Sequence, residues 1–127
     1  MTMLRVLYVD DDPDIREAAE LCLRMDPDIE VQVADSGAAA LALLATDAPR
    51  PDVVLLDVMM PQMDGPALLA AIRARPGAQP PAIFMTARAM PEERARLMAL
   101  GAVGVITKPF NPLGLAAEVR GLVSGVG

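Results

Sequence analysis

The sequence predicts an α/β domain built on a doubly wound parallel sheet with helices on both faces. Three observations predict it. Five short β-rich runs alternate strictly with five helical patterns, and such alternation marks parallel strands joined by helical crossovers. The middle run, Val53–Leu56, is continuously apolar, as a strand covered on both faces should be. Polar residues stand at the ends of four runs, where parallel sheets bind ligands.

The elements follow in order. Leu4–Val9 (LRVLYV) is a β-rich run that ends at Asp10, Asp11 and Asp12. Pro13 suits the first turn of a helix with Asp12 as its N-cap. Ile15, Ala18, Ala19, Cys22 and Leu23 recur at helical spacing, so Pro13–Met25 reads as an amphipathic helix with Cys22 on its core stripe. Ile29–Ala34 alternates apolar and polar residues, a strand with one wetter face. Ser36 and Gly37 open an Ala/Leu-rich helix over Ala38–Ala45, and Pro49 and Pro51 end that connection.

Val53–Leu56 then runs into Asp57 and a loop marked by Pro61, Asp64 and Gly65. Pro66–Arg75 reads as the third helix, stopped by Pro76 and Gly77. Ala82–Met85 is the fourth strand, with Thr86 at its exit. Pro91 starts a helix that runs to about Leu100 and is closed by Gly101. Val103–Ile106 is the fifth strand and leads to Thr107-Lys108-Pro109. Asn111 and Pro112 are expected to cap and start the last helix, ending near Val123, with a frayed tail over Ser124–Gly127.

Composition bounds the function. At 127 residues and 54% hydrophobic, the chain fits one domain with a full core. Its aromatics are Tyr8, Phe84 and Phe110, so aliphatic side chains must fill that core. A net charge of −6 disfavours a phosphate-covered partner such as DNA. Cys22 stands alone, which excludes an internal disulfide and suits a reducing compartment. No apolar run is long enough to span a membrane, and the start lacks a secretory layout, so the expected location is cytoplasmic. The absence of histidine excludes His-based catalysis, His metal ligands and a phosphohistidine of the chain's own. Lys108 is the one lysine among 11 basic residues.

The strand exits form a chemical set: Asp10 and Asp11 after the first, Asp57 after the third, Thr86 after the fourth, Lys108 after the fifth. Three close carboxylates repel one another unless positive charge sits among them. Hard oxygen donors suit Mg²⁺, and the metal with Lys108 would bring the local charge to zero. Such a site suits phosphoryl transfer, which rests on positioning and charge neutralisation. Asp57 can act as nucleophile and form an acyl phosphate. Thr86 offers a hydroxyl to a phosphoryl oxygen, and Lys108 a compact cation on a flexible stem.

VDDDP at 9–13, LLDVMMPQMDG at 55–65, MTA at 85–87 and TKPF at 107–110 resemble the receiver domain of two-component response regulators, and the resemblance covers essentially the whole chain. It implies a flavodoxin-like (βα)5 fold with strand order 2-1-3-4-5. It implies that Asp57 is the phosphoacceptor and that Asp10, Asp11, Asp57 and the carbonyl of Met59 serve Mg²⁺, with Asp11 a direct ligand. Thr86 and Lys108 would contact the phosphoryl group, and Lys108–Pro109 would be cis. The phosphoryl donor would be a histidine kinase or histidine phosphotransfer protein, and the recipient of the signal a downstream protein. Residues 1–127 would be one receiver domain with no output domain. It would be a monomer or a weak phosphorylation-dependent dimer, with no direct contact to nucleic acid or membrane. Its docking surface would lie near Ile15, Ala18, Pro109 and Phe110. It would not be an enzyme beyond its own phosphorylation and dephosphorylation.

The chain departs from the family at Val105, where many receivers place Tyr or Phe. Met59 and Arg88 occupy positions that flank the hydrolytic water in this family, which predicts slow loss of the phosphoryl group. Three other functions are weighed. A Mg²⁺-dependent aspartyl-phosphate phosphatase commonly carries a second aspartate where this chain has Met59. A nucleotide-binding domain would need GxGxxG or GxxxxGK[ST], and neither occurs. A phosphate-independent docking module would keep the fold without the chemistry.

Overall fold

A computed structural model describes residues 3–46, 49–77, 79–88 and 90–125. The elements alternate as β1 (Leu4–Val9), α1 (Pro13–Arg24), β2 (Ile29–Ala34), α2 (Gly37–Leu44), β3 (Val53–Asp57), α3 (Gly65–Arg73), β4 (Ala82–Thr86), α4 (Pro91–Ala99), β5 (Gly104–Thr107) and α5 (Leu115–Ser124). The five strands form one parallel sheet in the order β2-β1-β3-β4-β5, the flavodoxin-like arrangement expected. The order reverses between β1 and β3, so the ends of these two strands open a crevice.

Side chains alternate across the sheet and build two cores. Leu7, Val9, Val54, Leu56, Phe84 and Val105 pack beneath Leu68, Ile72 and Leu97 on one face. Val6, Tyr8, Val53, Leu55, Ile83, Met85 and Ile106 pack against Ala19, Leu23, Leu115 and Val119 on the other. Every residue of β3 is buried, in keeping with its unbroken apolar run. Cys22 is half-buried and packs against the second core.

Helix starts follow their side chains. Asp12 accepts the N–H groups of Asp14 and Ile15, Ser36 that of Ala39, and Asp64 that of Ala67, which satisfies donors the helices leave open. The last helix starts later than expected. Asn111 Oδ1 accepts the N–H of Leu113 at 3.2 Å and its carbonyl accepts the N–H of Gly114 at 3.1 Å, closing a separate turn over residues 111–114. The chain completes this turn before α5 begins at Leu115. The expected tail extends past Gly125 to residues outside those described.

Candidate functional site: a carboxylate and lysine cluster at the sheet edge

Strand register brings the site together. Val9 pairs with Leu56, so the next residues, Asp10 and Asp57, emerge side by side. Asp57 in turn pairs with Met85, and Thr86 with Thr107. Thr86 and Lys108 therefore leave the same edge, joined by a 2.7 Å bond from the Lys108 N–H to the Thr86 carbonyl. The Lys108–Pro109 bond is cis, as the resemblance implied.

Asp10 is fully buried and held on both oxygens. Oδ1 accepts the Asp12 N–H at 3.0 Å. Oδ2 accepts the Tyr8 hydroxyl at 3.0 Å and the Lys108 ammonium at 3.3 Å. Its carbonyl accepts Arg16 Nη1 at 2.9 Å, tying α1 back to the end of β1. Asp57 Oδ1 lies 3.1 Å from Lys108 Nζ and accepts a long 3.4 Å bond from the Met59 N–H. Asp11 is exposed, yet Asp10, Asp11 and Asp57 each offer an oxygen within 4.8 Å of the others.

These contacts set the electrostatics. Burial pushes the Asp57 carboxyl up to about 6; the Lys108 hydrogen bond opposes this and the charge of Asp10 adds to it. Burial pulls on Lys108 in the opposite sense, but its bond to Asp57 and the charges of Asp10 and Asp57 prevail, so its ammonium is held more tightly than usual. Burial, then the charge of Asp10, pushes the Tyr8 hydroxyl well above the usual range. One ammonium thus serves a cluster of three carboxylates, and Asp57 stays under-compensated. Three hard oxygen donors with surplus negative charge can hold a divalent cation such as Mg²⁺.

The loop after Asp57 allows the cluster to form. A Cβ on Gly65 would meet the Asp57 carbonyl oxygen at 2.6 Å and the Val58 Cα at 3.1 Å, so only glycine lets α3 start this close to β3. Gln62 takes a left-handed φ of 70° in the same loop. Thr86 is buried, and its Oγ1 accepts the N–H of Arg88 at 3.0 Å. The structure therefore brings Asp10, Asp11, Asp57 and Lys108 into one cluster, with Thr86 beside them on the edge.

Two contributors escaped the sequence reading. Tyr8 stands in the sequence only as part of the β-rich run Leu4–Val9, although a tyrosine in an apolar strand needs a partner for its hydroxyl, and residues i and i+2 share a face. Arg16 lies six residues past Asp10, one turn into α1, and carried no comparable signal.

Comparisons with known proteins place the chain in a family. The model for the response regulator receiver domain matches residues 6–120. This chain belongs to the response regulator receiver family. It is 38% identical over 120 residues to Response regulator MprA of Mycolicibacterium vanbaalenii, covering 94% of this chain and 50% of that protein. It is also 38% identical over 121 residues to a 14.6 kDa protein of Leptolyngbya boryana, covering 94% and 90%. The chain thus spans about half the length of MprA and nearly all of the shorter relative. Among solved structures, the chemotaxis response regulator CheY4 of Vibrio cholerae superposes with a TM-score of 0.82 at 35% identity, covering 95% of this chain and 99% of that one.

The structure also places Val105, the expected departure from the family, and Met59 and Arg88, expected to bear on phosphoryl lifetime. Val105 is packed in the first core. Met59 is 78% exposed beside the cluster, and Arg88 is exposed past Thr86. Among the described residues, no helix is long and apolar enough to cross a membrane.

Proposed function

We propose that this receiver accepts a phosphoryl group on Asp57 and uses it to change a partner-binding surface. The reading is carried by Lys108 Nζ, which bridges Asp10 Oδ2 and Asp57 Oδ1 while Asp11 shares the cluster. Asp57, ionised above a pH of about 6, attacks phosphorus of a phosphohistidine. The Asp57 O–P bond forms, the donor N–P bond breaks, and the departing imidazole takes a proton. Lys108 keeps its charge and balances the phosphoryl oxygens. Asp10, Asp11, Asp57 and the Met59 carbonyl would hold Mg²⁺, which supplies charge neutralisation during transfer. Thr86 would turn its hydroxyl from the Arg88 N–H toward the phosphoryl group.

Taking a two-state switch from 1:99 to 99:1 requires about 5.5 kcal/mol of differential interaction. One hydrogen bond to a charged group supplies about 1.5–3 kcal/mol. Thr86 therefore shares the work with Lys108 and the bound partner. The donor would be a histidine kinase or histidine phosphotransfer protein, since the chain has no histidine to relay through. The listener would be a downstream protein.

Incubation with acetyl phosphate and Mg²⁺, read by intact mass, tests this. One acid-labile phosphoryl group is expected on the wild type and none on Asp57→Asn. Continuous release of phosphate would favour a phosphatase, and neither outcome a docking module.

A further inference from the structure

The mechanism makes no use of Tyr8, a fully buried side chain whose hydroxyl reaches Asp10. We propose that Tyr8 is a positioning residue for the metal site, acting through Asp10; this rests on the reading that Asp10 serves Mg²⁺. The geometry is specific. Tyr8 and Asp10 lie two apart at the end of β1, so their side chains leave the same face. The hydroxyl donates to Oδ2 at 3.0 Å, the oxygen that also accepts Lys108. Oδ1 is occupied by the Asp12 N–H. A carboxylate has about four acceptor sites, and three are taken.

Asp10 is thus pinned from three directions: its own strand, the start of α1, and the lysine after β5. Without Tyr8, Lys108 is the remaining donor to Oδ2. The lysine would then follow Asp10 and loosen from Asp57, and the Asp10 carboxylate would gain freedom to rotate. Groups that orient a metal ligand by hydrogen bonding commonly change affinity about 10–100-fold when removed. A hydroxyl that merely filled its own need for a partner would affect stability and leave the ion alone.

Mg²⁺ titration calorimetry on the full chain separates these roles. Tyr8→Phe keeps the ring in the core and removes only the donor. Its Mg²⁺ affinity is expected to fall about tenfold, toward the lower end of that range. Phe84→Leu, a change in a fully buried side chain of the other core, controls for general loosening and should leave affinity near wild type. An affinity for Tyr8→Phe within about threefold of wild type overturns the proposal, given that range. So does an equal loss in Phe84→Leu. A wild type that binds no Mg²⁺ overturns the metal reading itself, a separate result from binding that ignores Tyr8. A spectroscopic readout is independent of metal: the chain has one tyrosine and no tryptophan, and a phenol bonded to a carboxylate emits weakly. Tyrosine emission should rise in Asp10→Asn without Mg²⁺; unchanged emission rejects the contact.

Discussion

The Lys108 ammonium lies 3.1 Å from Asp57 Oδ1, yet Asp57 still binds its proton up to a pH of about 6. Attraction to Lys108 is weaker here than burial and the nearby Asp10 charge together. Proton affinity above the unfolded value of 3.8 favours the folded state while Asp57 is protonated. That contribution is complete below 3.8 and is lost as the pH rises through about 6. Its size is on the order of 3 kcal/mol. In chelator, wild-type stability should therefore fall between about pH 4 and pH 7. Asp57→Asn should show less of this fall and be the more stable protein at neutral pH, because Lys108 keeps Asp10 as a partner. Mg²⁺ should then stabilise wild type more than the variant. Urea unfolding across this range, with and without Mg²⁺, measures all three. Equal stability of both proteins at neutral pH in chelator contradicts the argument.

Much of the fold was legible because its signals are local and repeated. Pro13, Pro66 and Pro91 mark helix starts, and the apolar run into Asp57 marks a buried strand that meets a polar edge. Asp10, Asp57 and Lys108 could be placed together because parallel strands share one carboxyl edge, whatever the details of each loop. The remainder depends on directions that sequence spacing does not encode. The Tyr8–Asp10 bond requires the strand alternation to persist to the last residue of β1 and beyond. Arg16 must bend back from α1 to find the Asp10 carbonyl. The late start of α5 follows a turn over residues 111–114 closed by Asn111 through both its side-chain oxygen and its carbonyl, which the pattern Asn-Pro does not distinguish from a helix start.

Met59 and Arg88 offer a test of phosphoryl lifetime. Both are exposed and lie two residues beyond Asp57 and Thr86. The Met59 N–H touches Asp57, and the Arg88 N–H holds Thr86, so the backbone fixes where both side chains leave. On the proposed function, a thioether and a long guanidinium at these places would obstruct the water that hydrolyses the acyl phosphate. Replacement by Met59→Asn and Arg88→Ala should speed decay of the phosphorylated protein by about tenfold, equivalent to about 1.4 kcal/mol of barrier. Phosphate release after removal of donor measures it. Decay as slow in the double variant as in wild type would assign the lifetime to other residues.

Val105 bears on how the signal leaves the site. It pairs with Phe84 across β4 and β5 and is 4% exposed within the first core, in the company of Leu97 and Ala102. An aromatic ring at this place would need space already filled by these neighbours. Overpacking costs about 1–3 kcal/mol, and a tyrosine would add a hydroxyl in need of a partner. Val105→Tyr should therefore lower stability by that amount, measured by urea unfolding, and should not accelerate phosphorylation by acetyl phosphate. A variant as stable as wild type would mean that the α4–β5 face opens to receive the ring. That would restore an aromatic route which the present packing closes; with the route closed, the proposed function requires the signal to pass through the loop after Thr86 or by another route.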